Sequence, residues 1–175
     1  MTALTNNSIR LRALEPGDVD LLYRWENDPE TRMASNTRTP VSKYILASYI
    51  RSGDKDFWES RELRLMIEDS DGNALGTIEL FDFEPYHMRA GVGVMVFETA
   101  HRQKGIASTA LEILMDYARN ELGIYQLWAN IAESNTASLN LFRKMGFEIT
   151  GHKTNWLKIP GKAWEGEYLL QRILG

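Results

Sequence analysis

Arg102-Gln103-Lys104-Gly105-Ile106-Ala107 is the stretch on which the fold turns, because an apolar β-branched run stops shortly before it and a helical period begins at its end. Upstream, Val92, Val94 and Val96 alternate through Arg89 to Val96, the register a central strand prefers. Downstream, Ala107, Leu111, Leu114, Ala118 and Leu122 recur at spacings of four, three, four and four, which is one face of an amphipathic helix over 106–122. Gly123 stands where a left-handed C-terminal cap belongs. The six residues therefore link a strand to a helix. A helix N-terminus presents backbone N–H groups without intrahelical partners and carries partial positive charge. Gly105 permits close backbone approach or positive φ, Ala107 keeps the first turn narrow, and Arg102 and Lys104 add formal charge. A diphosphate suits that combination. So does a plain solvated turn, and the loop alone does not separate the two.

Working outward, Ser8 to Leu14 alternates apolar and polar residues as a strand, and Glu15-Pro-Gly-Asp then starts a helix to about Asn27 that Pro29 ends. A second helix follows Pro40, with Tyr44, Ile45, Tyr49 and Ile50 on adjacent rows, and stops at Gly53. Trp25, Tyr44 and Tyr49 read as core or interface residues. Arg64 to Asp69 and Ala74 to Phe83 read as strands joined by the hairpin turn Asp71-Gly72-Asn73. Beyond the long helix, Tyr125, Leu127, Ala129 and Ile131 alternate as a strand. Ser134 or Asn135 caps a short helix with Ala137, Leu141 and Met145 on one face, closed by Gly146. Phe147 to Gly151 and Glu165 to Leu170 supply two last strands. No repeat or linker interrupts the chain, so residues 1–175 form one domain of order βααβββαβαββ, an α/β or α+β fold.

Composition limits the function. Hydrophobic residues make up 43% and charged residues 25%, ordinary for a soluble domain, and no apolar run approaches the span of a bilayer. The first residues lack the basic start and apolar stretch of a signal peptide, so a cytoplasmic protein without membrane attachment is expected. A net charge of -4 argues against nucleic-acid binding and is compatible with a cationic substrate. The absence of cysteine removes disulfides, thiolate metal sites and a cysteine nucleophile together. His87, His101 and His152 show no ligand spacing, so no metal site is expected. No Walker string is present, and Gly91-Val-Gly-Val-Met-Val lacks the third glycine of the dinucleotide fingerprint.

The second informative segment is Asn135-Thr-Ala-Ser138-Leu-Asn-Leu-Phe142-Arg-Lys-Met-Gly146-Phe147. The loop at Arg102–Ala107, then a helix and strand, then this segment, resembles the GNAT N-acetyltransferases. Ile9-Arg-Leu-Arg, Gly76-Thr-Ile-Glu-Leu80, Arg89-Ala90 and Glu167-Tyr-Leu-Leu are similar to the branch holding spermidine acetyltransferases and ribosomal-protein N-terminal acetyltransferases. The resemblance implies a mixed central sheet of about seven strands flanked by about four helices, with acetyl-CoA as co-substrate. It implies that Val94, Met95 and Val96 pair with pantetheine, and that the main chain of Arg102, Gln103, Lys104, Gly105, Ile106 and Ala107 meets the diphosphate. Asn135 and Ser138 match positions that reach the cofactor, with Phe142 and Lys144 one and two turns on.

The implied reaction is attack of a neutral amine on the thioester. An ammonium resembling lysine has a pKa near 10.4, so a base helps. Glu79 is the candidate, sharing a strand face with Thr77, Phe81 and Phe83, whose apolar neighbours favour the neutral carboxyl. Glu84, Glu26 and His87 are weaker substitutes. Many relatives carry tyrosine, the usual general acid, where this chain has Phe142. Tyr86, Tyr168 or a water then has to serve, and the enzyme is expected to be slower rather than dead. Three acceptor readings stay open: a small polyamine, a peptide or other primary amine, or CoA binding without catalysis. Trp156 and Trp164 either stack on the substrate or pack a hairpin. A homodimer is compatible with the resemblance.

Overall fold

In the computed structural model, described over residues 4–6, 8–35, 37–52, 55–97, 105–159, 161 and 163–175, one seven-stranded sheet carries the helices on its two faces. The strands are β1 (Ile9–Ala13), β2 (Leu63–Asp69), β3 (Ala74–Glu84), β4 (Arg89–Val96), β5 (Gln126–Ala132), β6 (Glu148–Lys158) and β7 (Trp164–Ile173), in spatial order β1-β2-β3-β4-β5-β7-β6. All neighbours pair antiparallel except β4 and β5, which run parallel across the connection that contains the long helix.

The helices are α1 (Val19–Asn27), α2 (Pro29–Ala34), α3 (Lys43–Arg51), α4 (Phe57–Ser60), α5 (Ile106–Asn120) and α6 (Thr136–Lys144). Two of the six were not expected. Pro29 does end α1, but it also opens α2: proline suits a first helical turn, and the Asp28 carboxylate accepts from the N–H groups of Glu30 and Thr31. Asp56 caps α4 in the same way through the Glu59 N–H. β6 continues past Gly151 to Lys158, beyond the expected end.

Strand alternation divides the core. Leu65 and Ile67 of β2 join Ile78, Leu80 and Val92 beneath α5 and α6, while Met66 faces Leu22, Trp25 and Leu46 of α1 and α3. Trp25 stacks on Phe97 at 4.3 Å between ring centres. The face of α5 is as predicted, with Leu111, Leu114 and Ala118 fully buried. Two other faces differ. On α3 the buried row centres on Leu46, while Tyr44 and Ile45 stand in solvent. On α6 it is Leu139, Phe142 and Met145 that are buried, and Ala137 is exposed. A third correction concerns β3. Asp82 adopts a left-handed φ of 49° within a register irregularity between Phe81 and Glu84, which turns Phe83 onto the opposite face, 1% exposed among the core residues. Phe83 therefore does not share a face with Glu79.

Among the described residues no helix is long and apolar enough to cross a membrane.

Candidate active site

The parallel ladder between β4 and β5 is short. It joins Arg89 to Gln126, Ala90 to Leu127 and Gly91 to Trp128, and then stops. Past Gly91 the two strands diverge, and the wedge between them opens into a cleft of about 690 Å³. Val92, Gly93, Val94 and Met95 line one wall, and Trp128 to Ala132 line the other. A strand edge without a ladder partner offers backbone donors and acceptors in a row, the feature that an amide-containing chain such as pantetheine would use.

Below the cleft stands α6, fixed at both ends by its own sequence. The Asn135 side chain accepts from the Ser138 N–H at 3.1 Å, the expected N-cap. At the other end the Phe147 N–H bonds to the Phe142 carbonyl at 3.0 Å and the Gly146 N–H to the Arg143 carbonyl at 2.9 Å. With Gly146 at φ 79° this is a Schellman cap, whose apolar contact is the edge-on packing of Phe142 on Phe147 at 4.9 Å. The two caps set Asn135, Ser138 and Phe142 into the cleft lining.

Of the predicted residues, the fold thus brings together Glu79, Val94, Met95, Asn135, Ser138 and Phe142. Val96 continues β4 beyond the lining, paired in register with Gly76. Lys144 is exposed at the end of α6 and does not reach the cleft wall. Gly105, Ile106 and Ala107 form the start of α5, where Gly105 at φ 80° precedes the first turn with no side-chain cap on its N–H groups among the described residues. Arg102, Gln103, Lys104 and His101 lie outside the described residues. The described part of the loop thus fits an anion at the head of a long helix, beside an unpaired strand edge suited to pantetheine.

Glu79 projects into the cleft from β3, over Gly93 of β4. A Cβ on Gly93 would lie 3.2 Å from the Glu79 Oε1, so the glycine leaves the carboxylate its place. Phe81 lies over Gly91 in the same manner and meets Trp128 edge-on at 5.2 Å. Desolvation by the cleft walls raises the Glu79 pKa above its ordinary 4.5; Arg64 opposes the shift, and the charges of Glu26 and Glu62 add to it. The other proposed bases are engaged. Glu84 pairs with Arg89 and faces His87 on the exposed turn, and Glu26 pairs with Arg64.

Among the described lining residues there is no tyrosine, histidine or lysine. Tyr86 is 89% exposed, and Tyr168 packs beside His152 without lining the cleft. Several lining residues were absent from the expected site: Arg64, Trp128, Asn130 and Glu167. Trp128 and Asn130 lie on the strand recognised as β5, so its position beside β4 is the signal that would have found them. Trp156 and Trp164 are both more than half exposed on the β6–β7 hairpin, and neither lines the cleft.

Comparison with known proteins agrees with this architecture. The acetyltransferase (GNAT) domain family matches residues 8–148. Spermidine N(1)-acetyltransferase of Escherichia coli K12 is 26% identical over 156 residues, covering 89% of this chain and 81% of the relative. An N-acetyltransferase 9-like protein of Nematostella vectensis is 34% identical over 153 residues, covering 83% and 77%. The crystal structure of spermidine N-acetyltransferase from Vibrio cholerae in complex with CoA and spermine shares the fold, with a TM-score of 0.87 over 97% of each chain at 22% identity. The chain belongs to the GNAT acetyltransferase family. It is accordingly an N-acetyltransferase with acetyl-CoA as its co-substrate.

Proposed function

We propose that the acceptor is a small polyamine, acetylated on a primary amine, with Glu79 as the base. The observation that carries this reading is the charge balance of the cleft. Glu26, Glu79, Asp82 and Glu167 line it, against Arg64 as the single cation among the described lining residues. Arg64 satisfies Glu26, and Lys153 satisfies Glu167. Glu79, held only loosely by Arg64 at 3.9 Å, and Asp82 remain to meet further positive charge, and a polyamine brings two or more ammonium groups joined by methylenes. The Phe81–Trp128 pair in the same lining gives those methylenes an apolar surface. The spermidine acetyltransferases among the relatives support the same acceptor class.

In this reading the amine nitrogen forms a bond to the acetyl carbon, the carbon–sulfur bond breaks, and the amine proton passes to Glu79. The raised pKa makes Glu79 a stronger base than an exposed glutamate. Val94, Met95, Asn135 and Ser138 hold the co-substrate along the wedge, with Gly105 to Ala107 and the preceding Arg102 to Lys104 at its diphosphate. The leaving thiolate takes its proton from water, since Phe142 has none to give; a thiol of pKa near 8.5 leaves acceptably without help.

Self-association and a cytoplasmic place of action belong to this reading too. A V. cholerae spermidine N-acetyltransferase of the same fold is dodecameric, which supports an oligomer rather than specifically a dimer. Light scattering distinguishes the two. Turnover with spermidine, spermine, putrescine and a peptide panel tests the acceptor: activity confined to the polyamines is expected, and activity confined to peptides replaces it with the peptide reading.

A further inference from the structure

Arg64 and Glu79 are directly opposed across β2 and β3, a position in which an arginine and a glutamate ordinarily form an ion pair. Here the pair is only loose, with no hydrogen bond between the two side chains. The Arg64 Nε lies 3.9 Å from the Glu79 carboxylate, too far for a hydrogen bond, and is buried with no hydrogen-bond partner among the described residues. The guanidinium is drawn instead to Glu26 of α1, which its Nη2 engages closely, with Thr77 Oγ1 3.3 Å away. Both members of that pair are largely enclosed, 17% and 18% exposed, so the pull is poorly screened by water.

We propose that Glu26 is a positioning residue: it competes for Arg64 and keeps the guanidinium from hydrogen-bonding to Glu79, so that the loosely paired base stays available to the amine. The proposal rests on Glu79 being the base. Its geometry stands independently of that role, because the opposed pair, the idle Nε and the third residue that captures the arginine are features of the fold. The charged and titratable groups around Glu79 are Arg64 and Glu62 of the β2 side, Glu26 of α1 and, through the same cluster, Tyr49 of α3. Burial pushes the Tyr49 phenol up to about 12, so it stays neutral while the carboxylates titrate. Arg64 is the only cation in this group. Where it sits therefore decides whether Glu79 behaves as a base or is held in a tight, hydrogen-bonded salt bridge.

The test is a double-mutant cycle read by carbon-13 NMR titration of the Glu79 carboxyl in the full-length protein, together with the acid limb of kcat/KM. In Glu26→Gln, Arg64 closes on Glu79, and the carboxyl titration falls by roughly 1 to 3 pH units. In Arg64→Met, the titration rises. The cycle separates competition from simple repulsion between the two carboxylates: if Glu26 acts through Arg64, adding Glu26→Gln to Arg64→Met moves Glu79 by only a small fraction of the shift in the parent. An equal shift in both backgrounds, or none in either, overturns the proposal. Glu26→Asp, which keeps the competing charge, restores most of the parental titration; failure to do so also counts against it. Should a single variant not fold, the remaining background and Glu26→Asp still give a direction. The catalytic role of Glu79 is tested separately, since Glu79→Gln removes the acid limb only if Glu79 is the base, whereas the NMR shift follows pairing alone.

Discussion

The chemistry depends on two residues whose surroundings differ from what their types suggest. Phe142 occupies a cleft wall where a hydroxyl would serve the departing thiolate, yet it is 4% exposed and packed on Phe147. Replacing it by tyrosine adds an acid without removing that contact, and kcat should rise roughly tenfold to a hundredfold in steady-state assays. An unchanged or lower kcat counts against this account of Phe142. Glu79 makes the opposite point. Its raised pKa means that, between 4.5 and the folded value, the native protein holds a proton the unfolded chain releases. Glu79 therefore contributes less to stability as pH rises through that window, while its use as a base begins only above it. The pH profile of kcat/KM should show an acid limb above the ordinary carboxylate range, and Glu79→Gln should remove the limb and lower kcat/KM by about 10²-fold.

At the scale of elements, caps and registers explain both what the sequence disclosed and what it concealed. The helix between Asn135 and Gly146 was legible because each end carries a residue with a local reason to be there. Gly146→Ala tests one of them: a Cβ at φ 79° strains the Schellman turn, so urea titration should show a loss of about 1–2 kcal/mol, with a raised KM for acetyl-CoA because Phe142 and Ser138 shift with the helix. Registers were less accessible. Counting back from the Asp71–Asn73 turn through the Glu68–Ala74 pair sets Arg64 against Ile78. The shift between Ile67 and Glu68 instead sets it against Glu79, and with it the cation missing from the sequence reading. A second irregularity, at Asp82, hid the turn of Phe83 into the core for the same reason. Alternation reads a strand correctly only while its pleat is unbroken. The helices opened by Asp28-Pro29 and Asp56 were missed because short helices held by their caps show no apolar period.

Across the whole molecule, the edge of the sheet is tied to the helical layer by a charged network, distinct from the catalytic one. Glu68, 4% exposed, accepts from Arg10 and Arg12, and Arg12 also reaches Asp18 at 2.7 Å. Burial alone would raise both carboxyls, but the arginine hydrogen bonds prevail and hold them below their ordinary values. Their stabilisation is therefore complete above the unfolded-state value and is lost as pH falls through the depressed folded values. Glu68→Gln removes the carboxylate shared by the exposed Arg10 and by Arg12, which keeps Asp18, and should cost roughly 1–2 kcal/mol at neutral pH, with a smaller penalty in acid, measured by denaturant unfolding. That loss should leave the acceptor preference unchanged, because the network lies outside the cleft lining. The preference itself follows from the wedge between β4 and β5 and the carboxylates around it. Its most direct measurement is release of CoA thiol from acetyl-CoA with spermidine as acceptor, with the product identified by mass spectrometry. The account predicts saturable thiol release and a singly acetylated spermidine. Release no faster than without acceptor, for spermidine and for every other polyamine tried, would contradict it.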